Sequence, residues 1–396
     1  MSMISVAEAI ARLRAGNQIQ VGKETVELNA GAGRVLASDI VSAINVPPAD
    51  NSAMDGYALR RQDWHGPDQS LEISQRITAG TPPQALRKGT ATRIFTGAEI
   101  PEGADVVVMQ EKCRTDGQSV LIEAIGEAGG NIRPKGQDIM QGATVLKAGH
   151  RLRAQDLGLI ASLGIAWIEV RRRLKVAIIS TGAELVDPGD SIKPGQIYNS
   201  NRFMLEALVE KWGFDVLDFG ITVDDPEVIS EVMEKASREA DVVVTTGGVS
   251  VGEEDHVKAV VESLGQIDLW RIAIKPGKPF AFGNVLGTPF LGLPGNPVSA
   301  LVTALVIARP FLFDCQGISH PDIVPLKQTA LFDIKGGPRQ VYHRIRSGRD
   351  GAEIFKQQSS GALYSTCWGD GMAVQYPDED IAKGDVIDVI PYVLFN

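Results

Sequence analysis

The sequence has few of the residues that build covalent or metal-based crosslinks. Its three cysteines, Cys113, Cys315 and Cys367, are widely spaced and form no CxxC pair. None of the five histidines belongs to an HExxH motif, so a zinc enzyme is not expected. Separated, unpaired cysteines are typical of the reducing cytoplasm. A chain of 396 residues can bury several cores without such crosslinks, and about two to four domains are expected.

The sequence also lacks an excess of basic residues and a long apolar run. The net charge is −10, from 39 Lys and Arg against 49 Asp and Glu, which argues against a nucleic-acid-binding protein. A net negative charge is still compatible with a local basic pocket that binds an anionic ligand. No stretch of about 18 consecutive apolar residues occurs, and the N-terminus does not resemble a signal peptide, so a cytoplasmic protein without a membrane span is expected.

The first 172 residues show two kinds of pattern. Ser5 and Glu8 form a possible capping box ahead of an apolar stripe, which predicts an N-terminal helix. Residues 46–142 are rich in Gly and Pro with short apolar runs, which predicts a β-rich insert. Helical spacing returns at 153–163, and we expect this helix to rejoin the first one. The interpretation is a helical or elongated domain made of residues 1–45 with 143–172, interrupted by the insert.

The rest of the chain changes pattern at Leu174. Strands then alternate with helices, beginning with a fully apolar run at 176–179 that is typical of a strand covered on both faces. This alternation predicts a multidomain α/β protein whose central domain, residues 173–315, is a mostly parallel, doubly wound sheet. Shorter alternation after residue 315 predicts a C-terminal β-barrel domain over 316–396.

Polar, glycine-containing segments follow the predicted strands of the central domain. Each alone is typical of a tight turn or a helix start. The carboxyl ends of strands in such sheets form the ligand-binding edge, however, so several such segments together predict a binding site. They are 180–184, 224–225, 245–252 with Asp255, 275–279 and 293–297.

The residue types at this edge favour an anionic ligand. Gly247 and Gly248 allow backbone N–H groups to approach a phosphate closely. Positive charge comes from Lys275 and Lys278, with Arg271 nearby, and hydroxyls come from Thr245, Thr246 and Ser250. The P-loop motif GxxxxGK[ST] and the dinucleotide motif GxGxxG are both absent. The sequence therefore predicts a protein that binds a phosphorylated small molecule but is neither a P-loop NTPase nor a protein with the dinucleotide-binding motif.

Three carboxylates are expected at the same edge. Glu184, Asp224 and Asp255 follow predicted strands, and carboxylates beside phosphates usually hold a hard cation, with Mg²⁺ the most common. Helix capping is the alternative role for Asp224 and Asp255, and the two roles are compatible.

Longer motifs, in a fixed order along almost the whole chain, resemble the MoeA family of molybdopterin molybdotransferases, which includes the gephyrin E domain. They are PPADNSAMDGYAL at 47–59, IFTGAEIPEGADVVVMQE at 94–111, STGAEL at 180–185, TTGGVSVGEEDHVK at 245–258, IKPGKPFAFG at 274–283 and LPGNPVSAL at 293–301.

The resemblance implies an elongated homodimer of four-domain chains. It implies that the active site lies between the α/β domain of one protomer and the β-rich insert of the other. The implied reaction is the last step of molybdenum cofactor synthesis, in which molybdate is inserted into adenylated molybdopterin with Mg²⁺-dependent release of AMP.

The same resemblance assigns roles to individual residues. Asp55 and Thr96, with Asp138, would come from the partner subunit. The implied catalytic residues are Glu184, Asp224, Asp255, Lys275, Asp55 and Thr96, the first three also holding the metal. The implied substrate-binding residues are Thr181, Gly182, Thr246, Gly247, Gly248, Ser250, Arg271, Lys278, Pro294, Pro297, Asp138 and Ser365. Ser365 lies in the C-terminal segment 359–372, where the match to the family pattern is weakest.

Two alternative functions remain open at this point. A MogA-type molybdopterin adenylyltransferase shares the TTGG…D module, although the long insert and the C-terminal domain argue against it; such an enzyme is also a candidate partner. A non-catalytic, gephyrin-like scaffold is the second alternative. The acids and lysines at the strand ends favour an enzyme.

Overall fold

The computed structural model describes residues 3–17, 21–248, 256–319 and 321–395. The first helix begins as predicted, because the Ser5 hydroxyl accepts a hydrogen bond from the backbone N–H of Glu8. Within these ranges the α-helices are α1 (Val6–Ala15), α2 (Ala154–Ser162), α3 (Ser200–Lys211), α4 (Pro226–Glu239), α5 (His256–Leu264), α6 (Pro297–Thr303), α7 (Arg309–Gln316) and α8 (Tyr364–Trp368). A π-helical turn, Ala304–Ala308, joins α6 to α7.

The chain up to residue 172 is built mainly of short strands. These are β1 (Lys23–Glu27), β2 (Ile40–Val41), β3 (Asn51–Ser52), β4 (Gly56–Leu59), β5 (Ser70–Ile77), β6 (Thr90–Ile94), β7 (Val106–Met109), β8 (Cys113–Thr115), β9 (Ser119–Ile122), β10 (Ile132–Arg133), β11 (Thr144–Leu146) and β12 (Trp167–Arg171). A six-stranded sheet in the order β7-β4-β6-β5-β9-β8 forms the insert. β1 pairs with β12, and β2 pairs with β11, so the segments flanking the insert lie side by side.

The N-terminal helix differs from its expected position. α1 buries Ala9 and Leu13 in the same core cluster as Phe311 of α7, whereas α2 contributes Ile160 to a separate cluster with Leu36. α2 therefore does not rejoin α1. The apolar stripe of a short helix packs on whichever apolar surface is available, and its spacing does not identify that surface.

The middle of the chain forms the predicted doubly wound sheet. Its strands, with the small elements inserted between them, are β13 (Lys175–Thr181), β14 (Leu185–Val186), β15 (Ile197–Tyr198), β16 (Asp215–Thr222), β17 (Val242–Thr246), β18 (Gly265–Arg271), β19 (Ile274–Lys275), β20 (Pro279–Val285) and β21 (Thr288–Leu293). The sheet order is β16-β13-β17-β21-β20-β18. The first four strands run parallel, and β20 is antiparallel to both of its neighbours.

Helices cover both faces of this sheet, as its apolar strands require. Val176 and Ile178 of β13 pack in one core cluster with α3 and α6, while Ala177 and Ile179 pack in another with α4 and α5. Because side chains alternate along a strand, a strand buried between two helical layers is apolar at every position. This explains the uninterrupted apolar run at 176–179.

The segment 267–274 forms parts of two strands rather than one. Its apolar residues predict a single strand, but β18 ends at Arg271, and Ile274–Lys275 forms the separate β19 in a different sheet. β19 pairs in parallel with the start of the C-terminal strand at Gln340 and Val341. An apolar run carries no mark of the point at which the chain leaves one sheet for another.

The C-terminal part is a further sheet, whose own strands pair antiparallel. Its own strands are β22 (Leu326–Thr329), β23 (Gln340–Ser347), β24 (Ala352–Ile354), β25 (Gly371–Gln375) and β26 (Val386–Pro391). They are ordered β19-β23-β25-β26-β22, with β24 pairing on β23. A closed barrel is not confirmed, since only the isolated bridge between Ala330 and Ala352 connects β24 back to the segment after β22.

The helix Pro297–Gln316 is the one helix in the described residues that is long and apolar enough to cross a membrane. However, 83% of its most apolar 18-residue window is buried inside the protein. It packs with the strands of the α/β sheet in the largest core cluster, so its composition is that of a core helix.

Candidate functional site

The strand order places a topological switch between β13 and β17. From β13 the chain passes through α3 to β16 on one side, and then through α4 to β17 on the other side. Open α/β sheets bind ligands beyond the carboxyl ends of the strands at such a point. The residues there are Thr181 and Gly182 after β13, and Thr246 and Gly247 at the end of β17.

The glycine turn after β17 passes directly over the end of β13. Gly247 and Gly248 have φ angles of 88° and 62°, in the left-handed region that favours glycine. A Cβ atom on Gly247 would lie 2.7 Å from the Thr181 carbonyl oxygen, and one on Gly248 would lie 2.4 Å from Cγ2 of Val257. Only a residue without a side chain allows this close approach, and the Gly247 N–H fixes the turn to β21 by donating to the Leu293 carbonyl over 3.2 Å.

Several buried hydroxyl and amide groups around this turn have no hydrogen-bond partner among the described residues. They are Ser180 Oγ, Thr181 Oγ1, Thr222 Oγ1, Thr245 Oγ1, Asn199 Nδ2 and Asn201 Oδ1. Buried polar groups are normally paired with protein, water or a ligand. A cluster of unpaired groups at a strand-end edge is therefore a set of contacts available to a bound polar molecule.

Four of these residues were missed by the sequence analysis: Ser180, Asn199, Asn201 and Thr222. Asn199 caps α3 by accepting a hydrogen bond from the backbone N–H of Arg202, and the Asn201 side chain donates to the Gly295 carbonyl over 2.8 Å. Capping explains an Asn at one position but not at two. The Asn-Ser-Asn sequence at the start of α3 was the available signal.

The predicted positive charges lie at the same edge of the sheet. β18 runs parallel to β21 because each is antiparallel to β20, so Arg271 ends its strand beside Pro279, the first residue of β20. Arg271, Lys275 and Lys278 are exposed, and none forms an ion pair within the described part of the chain. Their charge is available to a ligand.

The structure describes two of the three predicted acidic residues, Glu184 and Asp224. Glu184 and Asp224 are exposed after β13 and β16, and neither carboxylate has a partner among the residues described. The helix cap belongs to Asp225, which accepts hydrogen bonds from Glu227 and Val228, so capping does not occupy Asp224. Asp255 and Ser250 lie outside the described residues. The described residues contain no group of three potential ligands placed to hold a metal ion. The magnesium site therefore stays a prediction.

The two predicted prolines shape the last loop of the edge. Pro294 is buried directly after β21, and Pro297 is the first residue of α6, where its missing N–H leaves no donor unpaired. A Cβ atom on Gly295 between them would lie 3.8 Å from the Cα of Gly247. The loop therefore lies against the glycine turn and encloses it from the side of β21.

Asp55 and Thr96 form a hydrogen-bonded pair in the insert. Asp55 Oδ1 accepts from both the backbone N–H and the hydroxyl of Thr96, each at 2.8 Å. These two bonds, helped by the charge of Arg93, lower the pKa of Asp55. No hydrogen bond or core cluster in the described ranges connects the pair to the α/β edge. Within one chain the structure joins these two residues to each other but not to the other candidates.

Two further candidates have different environments. Asp138 is exposed, and its backbone N–H donates to the Val46 carbonyl at the base of the loop that leads to Asp55. Ser365 is fully buried in α8, where its hydroxyl donates to the Ala362 carbonyl and accepts from Arg344 Nε at 3.1 Å. This hydroxyl is engaged in internal contacts, so its position gives no support to a substrate contact.

Comparison with known proteins adds family evidence to this geometry. Residues 4–164 match the family model described as the MoeA N-terminal region (domain I and II), and residues 177–314 match a probable molybdopterin binding domain. A Haemophilus influenzae protein named molybdopterin molybdenumtransferase is 43% identical over 318 residues, covering 80% of this chain and 78% of the relative. A Staphylococcus epidermidis protein of the same name is 31% identical, with 98% and 95% covered.

Solved structures show the same overall similarity. The crystal structure of a molybdopterin biosynthesis MoeA protein from Pyrococcus horikoshii superposes with a TM-score of 0.87 at 29% sequence identity. The match covers 99% of this chain and 100% of that one. The similarity in fold therefore extends over the insert and the C-terminal sheet as well as the central α/β sheet.

Proposed function

The chain belongs to the MoeA family, and we propose that it inserts molybdate into adenylated molybdopterin with magnesium-dependent release of AMP. Its curated relatives are transferases of molybdenum cofactor biosynthesis, and this chain is a transferase of that kind. The observation that carries the proposal is the edge at the switch point, where an open glycine turn, unpaired buried hydroxyls and three unpaired cations occur together.

The dimensions of the edge suit an elongated anionic substrate. Three strand spacings separate β13 from β20, and with about 4.8 Å between neighbouring strands the distance from Thr181 to Lys278 is about 14 Å. A single oxyanion would use only part of this length. An adenylated pterin can place one end against the glycine turn and its phosphates near the lysines.

Binding and charge stabilisation account for the proposed chemistry. The backbone N–H of Gly248, with the nearby hydroxyls, would orient the substrate, since that of Gly247 already donates to the Leu293 carbonyl over 3.2 Å. Lys275, Lys278 and Arg271 would neutralise negative charge that develops as the phosphoanhydride is cleaved, which is the main contribution of protein groups in phosphoryl chemistry. No protein nucleophile is required.

Magnesium would be held by carboxylates of this edge. Glu184 and Asp224 are exposed oxygen donors without a cationic partner in the described ranges, and such groups fit a hard cation. Asp255 is the third proposed ligand. When bound, the ion would reduce the charge on the phosphate oxygens that face the lysines.

Asp55, Thr96 and Asp138 are proposed to reach this edge from a second protomer of a homodimer. Their support is that Asp55 and Thr96 are hydrogen-bonded to each other and make no hydrogen bond to the described residues of the edge in their own chain. Where two copies of a chain share a site, we expect side chains that are fixed by hydrogen bonds but do not contact the site of their own chain.

The test is turnover by the purified chain with adenylated molybdopterin, molybdate and Mg²⁺, measured as AMP release together with cofactor formation. We expect Lys275→Ala to lower the rate by about 100-fold or more, the usual loss for a stabilising charge in a transition state. The control, Lys383→Ala, removes an exposed lysine of the C-terminal sheet region and should leave the rate unchanged.

Two results would contradict the proposal. ATP-dependent adenylation of molybdopterin without molybdate uptake would identify a MogA-type adenylyltransferase. AMP release that is equal in the wild-type and Lys275→Ala proteins would show that the catalytic assignment of the edge is wrong.

A further inference from the structure

A second cavity lies at the junction of three parts of the chain that the proposed reaction does not use. It has a volume of about 760 Å³ and is lined by residues from 145–153, α7, 318–319 and 321–324, together with Leu394. None of its lining residues belongs to the candidate site. Small-molecule sites in proteins typically measure about 300–1,000 Å³, so this cavity is large enough to bind one.

The lining of this cavity is strongly basic. It contains five basic side chains and one acid: Lys147, His150, Arg151, Arg153, Arg309 and Asp322. The acid is already paired, because Asp322 contacts Arg14 at 2.7 Å. His150 and Arg153 share the carboxylate of Asp156. Lys147, Arg151 and Arg309 are left without an ion-pair partner in the described part of the chain.

Arg309 is the most unusual of these groups, because its side chain is almost fully buried. Its Nε donates to the Phe395 carbonyl at 3.1 Å and its Nη1 to the Pro321 carbonyl at 2.8 Å, both neutral acceptors. Burial lowers the pKa of Arg309 to about 10, and the charge of Arg151 acts in the same direction, whereas the charge of Asp322 partly opposes them. A buried cation that forms no ion pair of its own is unfavourable, so an anion that enters from solution would be stabilised.

The two arginines are held in place by one aromatic ring. The guanidinium carbon of Arg309 lies 4.0 Å from the centroid of Phe313, and that of Arg151 lies 5.8 Å from it. Stacking on a buried ring fixes both groups before a ligand arrives, which reduces the entropy lost on binding. The cavity is thus preorganised for an oxyanion with several acceptor oxygens.

The remaining wall indicates that the ligand is not a bare inorganic ion. Leu146, Ile323 and Val324 also line the cavity, and Val324 is 80% exposed. Exposed aliphatic surface beside unpaired cations suits a molecule with an apolar part and an anionic head group.

We propose that this cavity is a second binding site for a small organic phosphate, separate from the molybdopterin site. The phosphate contacts Arg151, Arg309 and Lys147, and the organic part packs on the aliphatic wall.

The test is isothermal titration of the full chain with three probes: phenyl phosphate, inorganic phosphate and phenol. We expect phenyl phosphate to bind most tightly, since it alone combines the head group with an apolar part. Arg151→Gln should weaken this binding at least about tenfold, the effect of losing a charge-assisted hydrogen bond, and Arg151→Lys should recover part of it. The matched control is Arg173→Gln, which removes a half-exposed arginine whose nearest carboxylate oxygen is 3.8 Å away.

The contrary outcomes are equally defined. Binding of phenyl phosphate that is unchanged by Arg151→Gln but lost in Lys275→Ala would place the ligand at the molybdopterin site and overturn the proposal. Phenol binding as well as phenyl phosphate would show an apolar cleft without anion recognition. Failure of all probes to bind at millimolar concentration would also overturn it.

Discussion

At the scale of single residues, the candidate site depends on side chains that are small or uncharged as much as on charged ones. The charged residues were predictable from sequence because Lys275, Lys278 and Glu184 stand directly after predicted strands. The unpaired Ser180 and Thr222 hydroxyls were not, because an isolated Ser or Thr at a strand end is common and only burial without a partner distinguishes these two.

Substitution of Gly248 by alanine should disrupt the turn over β13. The left-handed φ angle costs about 1–2 kcal/mol for an L-residue, and the new Cβ atom would also clash with Val257, 2.4 Å away. We expect loss of substrate binding, with the rest of the fold retained, measured by titration and circular dichroism. Gly158→Ala is the control, since Gly158 lies in α2 away from the edge and its Cβ atom meets nothing within 4 Å. Equal binding by both variants would show that the turn does not contact the substrate.

Removal of the Thr96 hydroxyl should change the titration of Asp55. Two hydrogen bonds from Thr96 lower the pKa of this carboxyl, so Thr96→Val should raise it and Thr96→Ser should not. A lowered folded-state pKa adds stability above the unfolded-state pKa, and this stability is lost as pH falls through the folded value. In Thr96→Val the contribution should be smaller, and its loss should be complete at a higher pH. NMR titration of the Asp55 carboxyl measures the shift. An unchanged pKa in the valine variant would contradict the assignment.

At the scale of secondary-structure elements, helix starts and buried strands were predicted well, and contacts between elements were not. The start of α1 at its Ser5 cap and the position of α2 within 153–163 followed from local patterns alone. The division of β18 from β19, and the packing of α1 away from α2, depend on which surfaces meet in space. A local pattern carries no information about its distant partner.

The start of α2 should be the point where acid first loosens this part of the chain. Asp156 accepts hydrogen bonds from Arg153 and contacts His150 at 2.8 Å, and the Arg153 bond is the largest cause of the lowered pKa of Asp156. Its stabilising effect is full above the ordinary Asp range near pH ~4 and is lost as pH falls towards the folded-state value. We expect Asp156→Asn to lower the free energy of opening α2 by about 2 kcal/mol at neutral pH, and this difference should shrink in acid.

Hydrogen exchange of the α2 amides measures that opening locally, which suits a chain with several cores. The control is Asp68→Asn, because Asp68 is exposed and makes no hydrogen bond within the described ranges. A difference between wild type and Asp156→Asn that stays constant with pH would contradict the ionic explanation.

At the scale of the whole molecule, the order of motifs gave the family and the division into an insert, a doubly wound sheet and a C-terminal sheet. The alternation of short strands after residue 315 could not establish that the C-terminal sheet closes into a barrel. Short alternating strands fit an open sheet and a barrel equally well, and the difference lies in whether the first and last strands pair.

Mixing two inactive variants should restore activity if two protomers share each site. In a dimer of Asp55→Ala with Lys275→Ala, one of the two sites receives both native residues, so random exchange should return about a quarter of wild-type activity. Turnover after refolding of the mixed chains measures this, and each variant refolded alone is the control. No recovery in a mixture shown to contain heterodimers would place both residues in one chain's site or outside it.

The pairing of β19 with β23 has a consequence for how this enzyme can be divided. Ile4 at one side and Gln340 at the other both bond to the segment 271–275, so the basic corner of the site is assembled from the two ends of the chain. A fragment limited to residues 173–315 would keep the glycine turn but would lose the backbone hydrogen bonds from both Ile4 and Gln340 to that corner. Grafting the C-terminal sheet of one relative onto the α/β domain of another should therefore change the affinity for the phosphate end of the substrate. This change would occur even though no residue of the graft needs to contact the substrate.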